Sequence, residues 1–372
     1  MTPPERGAHF SDCVPEWPRP AAPGVHRVGV VQGEGVGPEV VGGALAVLDA
    51  VARSTGTPVE VLTGGDTSSR KLTPEVAGFC ASIFAAGGAV LCGPVGGRFV
   101  YDLRGQFDLY AKFVPIRPSP ALADVSIVRP ERAEAVDLVI VRENVGGIYF
   151  GEYGRRAEGR VAYQHFSYHA DRVARLLGVA ARLALQRRGR LTVIVKNGGI
   201  PEVSALWREQ ARAVTEGLPV ELEALDVDNA GFQLLSQPTR FDVVAAPNLL
   251  GDVLADSTTV LLASRGVSHS ANLGSEGRAV YQTGHGAAYD LAGSDRANPV
   301  AQILTMATML RESFGLDATA ARVEAAVEEV LAAGFRTPDV AAPGSRVVGT
   351  RELAERIAER AAQAAAPERA AL

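Results

Sequence analysis

Short apolar runs that alternate with amphipathic segments are the feature that most constrains how this chain can fold. Residues 25–32, 191–195 and 241–246 are apolar runs of strand length, and a segment with helical character follows each of them. Strands that alternate with helices predict a largely parallel sheet with helices packed on its faces. We therefore expect an α/β fold.

Length and composition argue against several classes of protein. The chain has 372 residues, enough for one large or two ordinary domains, and its 47% hydrophobic and 21% charged residues are typical of a globular enzyme. A net charge of −5 without a basic block argues against nucleic-acid binding, and no apolar run is long enough to span a membrane. The cysteines, Cys13, Cys80 and Cys92, are too few for a disulfide framework, so we expect reduced thiols and a cytoplasmic location. The proline-rich residues 1–24 are interpreted as a flexible N-terminal extension.

Four charged side chains follow apolar runs, each close to the point where a strand is expected to end. They are Arg142, Lys196, Asp228 and Asp252. The carboxyl ends of parallel strands meet at one edge of a sheet, where ligands bind in α/β proteins. We therefore expect these four side chains at one edge of the sheet rather than scattered over the surface.

Two of the acids have a spacing that suits a cation. Asp252 and Asp256 stand four residues apart in a segment with helical character, so both side chains leave the same face of the helix. Like charges at this spacing repel, and a cation between them removes the repulsion. A solvent-exposed helix face that carries two acids is the alternative interpretation.

A glycine-rich turn at residues 33–39 follows the first predicted strand. It lacks the G-x-G-x-x-G dinucleotide-binding pattern, so it indicates either nucleotide contact or a purely structural turn.

Four motifs lie in order along the chain. They are Gly33-Glu-Gly-Val-Gly-Pro-Glu39, Arg142-Glu-Asn-x-Gly-Gly-Ile-Tyr149, Asn248-x-x-Gly-Asp252-x-x-x-Asp256, and His285-Gly-x-Ala-x-Asp290 with Asn298-Pro299. With these motifs the chain resembles the β-decarboxylating dehydrogenases, which include the isocitrate, 3-isopropylmalate, homoisocitrate and tartrate/malate enzymes. The resemblance covers roughly residues 26–365.

The resemblance implies an isopropylmalate dehydrogenase-like two-domain fold, which is not a true Rossmann fold. Residues 25–109 and 263–372 would form an NAD-binding first domain. Residues 110–262 would form a second domain with the metal and substrate residues and the dimer interface. The resemblance also implies a homodimer whose active sites are partly completed by the other subunit.

The resemblance assigns metal-binding and catalytic roles to five residues. Asp252 and Asp256 match ligands of Mg²⁺ or Mn²⁺, and Asp228 matches a ligand contributed by the partner subunit. Lys196 matches the lysine that helps to remove the substrate's hydroxyl proton from across the dimer, and we expect burial and the metal to lower its pKa. Tyr149 matches the tyrosine that protonates the enol carbon.

Substrate-binding roles follow from the same resemblance. Arg104 and Arg142 match arginines that bind the substrate carboxylate, where the planar guanidinium is favoured over lysine. The loop before Arg104, which contains Arg98 and Tyr101, matches the segment that selects the variable group of the substrate.

The cofactor assignment rests on four matching residues, His285, Gly286, Asp290 and Asn298. Asp290 stands where an acid can accept hydrogen bonds from ribose hydroxyls and would repel a 2′-phosphate, so the resemblance implies NAD.

One arginine of the family is missing. The family stretch Leu-Tyr-Ala-x-x-Arg-Pro reads Leu109-Tyr-Ala-Lys-Phe-Val114-Pro here, so Val114 stands where a carboxylate-binding arginine is usual. Lys112, Arg117 and Arg98 are the candidates to supply the lost charge. Without a replacement, transition-state binding would weaken by several kcal/mol. We therefore expect a variant of the usual substrates.

Three functional hypotheses follow. The leading one is NAD- and divalent-metal-dependent oxidative decarboxylation of a substituted malate-type 2-hydroxy acid. The second is a tartrate- or malate-like dehydrogenase that does not decarboxylate its substrate. The third, of another class, is a non-catalytic regulatory subunit of an isocitrate dehydrogenase-like complex. Retention of the predicted metal and catalytic residues argues against the third hypothesis, and Val114 is the feature in its favour.

Overall fold

The computed structural model describes residues 9–18, 24–128 and 135–363 of the chain. At its centre lies a ten-stranded, mostly parallel sheet flanked by helices, which confirms the predicted α/β class. Within these ranges the strands are β1 His26–Val31, β2 Val59–Thr63, β3 Ala89–Cys92, β4 Ala111–Ile116, β5 Leu138–Glu143, β6 Glu152–Arg156, β7 Val161–His165, β8 Arg190–Val195, β9 Glu221–Asp226, β10 Val243–Ala246, β11 His269–Leu273, β12 Ala279–Thr283, β13 Phe335–Arg336 and β14 Arg346–Val347.

The helices lie close to the amphipathic segments of the sequence. In the described ranges they are α1 Gly37–Thr55, α2 Pro74–Ala85, α3 Phe99–Gln106, α4 Ala170–Gln186, α5 Pro201–Thr215, α6 Val227–Ser236, α7 Asn248–Thr258, α8 Val300–Glu312, α9 Asp317–Ala332 and α10 Thr350–Gln363. The predicted cap of α2 is confirmed, because the Thr73 side chain accepts a hydrogen bond from the Val76 amide at 3.3 Å.

The direction of the strands divides the large sheet into two parallel groups. Its order is β2-β1-β3-β12-β11-β4-β5-β10-β8-β9. Strands β1, β2, β3 and β12 are parallel to one another, and so are β5, β8, β9 and β10. Between the groups, β4 and β11 run antiparallel to each other and to their outer neighbours. The two groups therefore point in opposite directions, and their carboxyl ends lie at opposite edges.

The strand order also separates the middle of the chain from its ends. The five strands on the β9 side come from residues 110–262, and the five on the β2 side come from residues before and after that range. The division of the chain into two domains at these positions remains a prediction.

Asp228 lies two residues after the end of a strand, close to the position that the sequence suggested. Strand β9 ends at Asp226, and Asp228 lies in the first turn of α6. An acidic side chain is favourable there because the exposed amide groups of a helix N-terminus carry partial positive charge.

Residues 9–18 pack against the sheet, unlike the flexible extension predicted for residues 1–24, of which residues 1–8 and 19–23 lie outside the described ranges. Phe10, Cys13 and Val14 are buried, and the Phe10 ring stacks on that of Phe113 with 4.7 Å between the centroids. Phe113 belongs to β4, so this part of the chain covers the face of the sheet opposite residues 112 and 114. In the sequence these few apolar residues stand among prolines and polar residues, so no apolar pattern indicated that they are buried.

Polar contacts fix the same segment to helices on both sides of β4. The Ser11 amide and hydroxyl both donate to Glu312 Oε2 at 2.9 Å, and Glu312 ends α8. Arg182 of α4 donates through Nε to the Cys13 carbonyl oxygen at 2.7 Å. The segment thus joins a helix from each half of the fold.

The cysteines are free and buried, in agreement with the expectation of reduced thiols. Burial raises the pKa of Cys13 and that of Cys80 to about 12, which keeps both thiols protonated at neutral pH. Among the helices in the described ranges, none is both long and apolar enough to cross a membrane.

Phe10→Ala tests whether the N-terminal segment is part of the core. We expect the free energy of unfolding to fall by about 3 kcal/mol, because a buried aromatic side chain is removed. Urea denaturation measures this loss. Asp12→Ala, at an exposed position of the same segment, is the matched control and should change stability little. Equal stability of both variants would contradict the observed packing.

Candidate active site

A cleft of about 380 Å³ opens over the middle of the sheet, where the two parallel groups meet. Residues 112 and 114 of β4 line it, together with residues of α3, α7 and the segments that follow β3 and β12. The titratable side chains in its lining are Tyr101, Arg104, Lys112, Arg142, Asp252, Asp256, Arg265 and His285. The cleft therefore gathers charged groups from elements that lie far apart in the sequence.

Arg142 organises one side of the cleft. Its Nε and Nη2 donate to Asn248 Oδ1 at 3.0 and 2.8 Å, and its Nη1 donates to Asp252 Oδ1. Arg142 lies near the end of β5, while Asn248 and Asp252 belong to α7, which follows the neighbouring parallel strand β10. The predicted meeting of Arg142 and Asp252 at one edge of the sheet is confirmed.

Tyr149 and Asp252 form a pair of proton donor and ionised acceptor. Tyr149 lies on the 3₁₀ turn Gly147–Phe150, and its hydroxyl donates to Asp252 Oδ2 at 2.9 Å. Burial and the Asp252 charge raise the pKa of Tyr149, so its hydroxyl stays protonated at neutral pH. Burial alone would raise the pKa of Asp252, but the charges of Arg142 and Lys112 outweigh it and the pKa is lowered.

The position of Asp256 bears on whether the cleft could bind a divalent cation. Asp256 lies one turn after Asp252 on α7 and accepts a hydrogen bond from Arg265 Nη2. Among the described residues, no group of three or more His, Cys, Asp or Glu side chains could hold a metal ion. One chain thus offers two hard oxygen donors of the kind that Mg²⁺ and Mn²⁺ bind, and further ligands would have to come from substrate, water or another chain.

Lys196 and Asp228 form a separate pair at the same edge of the sheet. Lys196 Nζ lies 2.5 Å from Asp228 Oδ1, and the two side chains are 40% and 69% exposed. Neither lines the cleft of its own chain. In the single chain the hydrogen bond to Asp228 raises the pKa of Lys196, and the lowering expected beside a metal stays a prediction. The predicted roles of both residues stay predictions.

Arg98 and Tyr101 have different surroundings. Tyr101 lines the cleft, with its ring centroid 4.9 Å from that of Tyr149. Arg98 donates through Nη1 to the Tyr149 carbonyl oxygen at 3.0 Å and lies beside Asp102. It is not among the described residues that line the cleft. Arg98 therefore fixes the turn that carries Tyr149.

Arg104 and Lys112 are cations buried in the cleft wall, only 6% and 7% exposed. Burial and the charge of Arg142 lower the pKa of Arg104 to about 10. Burial and the charges of both arginines lower the pKa of Lys112 well below its usual value. Within the described part of the chain, neither side chain donates a hydrogen bond to a protein acceptor. Both basic side chains thus line the cleft without a hydrogen bond to a carboxylate, and Asp252 is an acid whose charge acts on both.

The predicted cofactor residues are divided between the cleft and its surroundings. His285 and Gly286 line the cleft, and His285 Nε2 is buried with no hydrogen-bond partner among the described residues. Asp290 is exposed, whereas Asn298 is buried and donates to Asp339 Oδ2 at 3.2 Å. Neither Asp290 nor Asn298 is among the described residues that line the cleft.

The glycine-rich turn supports the loop that carries His285. The Val36 amide donates to the Ala287 carbonyl oxygen at 2.8 Å. A Cβ at Gly35 would collide with that same carbonyl, and Gly35 has a positive φ of 57°. The glycine at this position is therefore required by the close approach of two loops, in agreement with the structural interpretation of the turn.

The fold and the cleft together define an α/β protein with a central cleft rich in charged side chains. The sequence profile described as isocitrate/isopropylmalate dehydrogenase matches residues 27–357. The 3-isopropylmalate dehydrogenase of Synechococcus sp. (strain JA-3-3Ab) is 40% identical, with coverage of 92% of this chain and 95% of that protein. The enzyme of the same name from Moorella thermoacetica (strain ATCC 39073 / JCM 9320) is 38% identical, with 89% and 98% coverage. The crystal structure of isocitrate dehydrogenase from Methylococcus capsulatus superposes with a TM-score of 0.81 at 30% identity, covering 91% of this chain and 100% of that one.

The chain belongs to the isocitrate/isopropylmalate dehydrogenase family. It is accordingly an oxidoreductase of the dehydrogenase class, as the resemblance implied.

Two polar contacts in the cleft were not anticipated from the sequence. Asn248 orients Arg142, and its place inside a recognised motif was the available signal. Arg265 neutralises Asp256 from nine residues away, beyond the end of α7, and no local pattern indicates that contact.

Gly251→Ala tests the packing of α7 against Arg142. A Cβ at position 251 would lie 3.0 Å from Arg142 Cγ and 3.1 Å from Ala246 Cβ, so Arg142 would have to move. Gly178→Ala, in the interior of α4, is the matched control because its Cβ would meet only a side-chain nitrogen at 3.6 Å. We expect the control to gain about 1 kcal/mol of stability and Gly251→Ala to gain none. Equal gains in chemical denaturation would contradict this packing.

Proposed function

We propose that this protein catalyses the NAD- and divalent-metal-dependent oxidative decarboxylation of a substituted malate-type 2-hydroxy acid. The observation that carries the proposal is the contact of Asp252 with both Arg142 and the Tyr149 hydroxyl. An ionised acid and a carboxylate-binding cation then line the cleft, and a protonated phenol is hydrogen-bonded to that acid. This is the set of groups that binding, oxidation and reprotonation of such an acid require.

Asp252 and Asp256 are the metal ligands in this proposal, together with Asp228 of the partner subunit. Their oxygen donors suit Mg²⁺ or Mn²⁺. When bound, the cation would act as a Lewis acid toward the substrate's hydroxyl and carboxylate oxygens. Arg142 and Arg265 form ion pairs with these two carboxylates.

Substrate binding and the proton transfers are assigned to residues of the protein itself. Arg104 and Arg142 bind and orient the acidic groups, and their burial excludes water from those contacts. Tyr149 holds a proton on its hydroxyl oxygen and is the donor to the carbon that loses CO₂. Lys196 of the partner subunit takes part in removing the proton of the substrate hydroxyl.

NAD is the proposed oxidant, and when bound it would supply the acceptor for the hydride of the substrate's hydroxyl-bearing carbon. His285 and Gly286 would hold it at the cleft wall, with Asp290 and Asn298 as further binding residues. The unpartnered, buried Nε2 of His285 supports this assignment, because a buried ring nitrogen without a partner favours a ligand that supplies one.

A homodimer with shared active sites is part of the proposal. On α6 and α7, the side chains of Phe232, Leu235 and Val253 are 69%, 40% and 54% exposed. Large apolar side chains on adjacent helices favour burial against a partner. The exposure of Lys196 and Asp228 fits residues that serve the partner's cleft.

An assay over a panel of substrates tests the proposed reaction. We expect NADH formation with Mn²⁺ and NAD for one member of a set containing isocitrate, homoisocitrate, isopropylmalate, D-malate and tartrate. Asp252→Asn should lower the rate at least about a hundredfold, because it removes the charge that holds the metal. A parallel measurement of CO₂ separates decarboxylation from simple oxidation. A hit whose rate survives both Asp252→Asn and a chelator would overturn the metal assignment.

Subunit complementation tests the shared active site. Lys196→Met and Asp252→Asn should each be inactive alone. If the subunits reassort after mixing, about a quarter of the wild-type activity should return, because each hybrid dimer keeps one intact site. Mixing Asp252→Asn with Asp256→Asn is the control, and it should restore nothing since both substitutions affect ligands from the same chain. No recovery in the first mixture, with reassorted dimers demonstrated, argues that each site lies within one chain.

A further inference from the structure

We propose that Lys112 replaces the missing guanidinium at position 114 and binds a second carboxylate of the substrate. This inference rests on the proposed function and names a specificity-determining residue of the same cleft. It also explains how the family's anion-binding site survives the loss of one arginine.

Lys112 lies on the same face of β4 as position 114, where the arginine is missing. Side chains two residues apart on a strand leave the same face, and both Lys112 and Val114 line the cleft. Lys112 is directly opposite Arg142 on the neighbouring antiparallel strand β5. The cation is thus displaced by two residues along β4 and remains beside the arginine with which it would share an anion.

The charges around Lys112 call for an anion in the cleft. Like charges directly opposite each other on paired strands are unfavourable, and burial of an unpaired ammonium group adds to that cost. Among the described residues, Arg142 forms an ion pair with Asp252, while Arg104 and Lys112 interact with the charge of Asp252 without a hydrogen bond to it. Three buried basic side chains grouped around Asp252 in one cavity indicate a ligand with more negative charge than one carboxylate.

The other two candidates for the missing charge are accounted for elsewhere. Arg117 follows the end of β4 and is exposed. Arg98 donates to the Tyr149 carbonyl oxygen and pairs with Asp102. Only Lys112 of the three lies in the lining of the cleft that the described residues form.

The chemistry of the side chain defines the ligand. An ammonium group is a compact charge with three donors, and it lacks the planar fork with which arginine grips one carboxylate in two places. Lys112 together with Arg104 and Arg142 suits two carboxylates held close together. A 2-hydroxy dicarboxylate meets this requirement, and a 2-hydroxy monocarboxylate does not.

Ligand binding to the full-length protein tests the proposal without turnover. Calorimetric titration with D-malate and with D-lactate, both in the presence of Mn²⁺, compares a dicarboxylate with a monocarboxylate probe. Lys112→Met should weaken D-malate binding about tenfold or more and leave D-lactate binding nearly unchanged. Lys112→Met/Val114→Arg, which returns the charge to position 114, should recover D-malate binding. Arg117→Met is the control and should behave as wild type.

Each other outcome overturns the proposal. Unchanged D-malate binding in Lys112→Met excludes a role in binding, and an equal loss for both probes indicates a merely structural role. Absence of D-malate binding to the wild-type protein also overturns it. Because no NADH is measured, a positive result stands even if the substrate panel yields no oxidation, which would remove only the proposed function.

Discussion

The contact between Arg142 and Asp252 is the interaction on which the site depends. It joins the ends of two adjacent parallel strands, and it brings an Asn248 amide and a Tyr149 hydroxyl into the same network. A buried arginine needs acceptors, so the network fixes how α7 starts relative to β5. The position of Asp256, one turn further along α7, follows from the same anchor.

The cleft is positive although the chain as a whole carries a net charge of −5. Arg104, Lys112 and Arg142 are all buried in its lining, and a bound anion would offset the cost of burying these basic groups together. The same local field keeps Asp252 ionised despite its burial.

The sequence was sufficient for the fold class, for most elements and for the meeting of Arg142 and Asp252, because strand ends of one parallel group share an edge. The sequence could not show that Lys196 and Asp228 lie apart from Arg142 and Asp252, because local patterns do not reveal the order of β5, β10, β8 and β9 in the sheet. The sequence also offered no reason to prefer one of Lys112, Arg117 and Arg98 as the replacement for the charge missing at position 114. Only tertiary contacts distinguish a cation inside the cleft from one on the surface and one that supports a turn.

The N-terminal segment has a mechanical consequence. Phe10 is stacked on the central strand β4, Ser11 is bonded to the end of α8, and Cys13 is bonded to α4. These attachments span the two halves of the sheet on the side opposite the cleft. Any rotation that widens or narrows the cleft must therefore carry this segment with it or break one of its attachments. The segment therefore couples α4 and α8 across the back of the sheet, and a displacement of one helix relative to the other would strain these contacts.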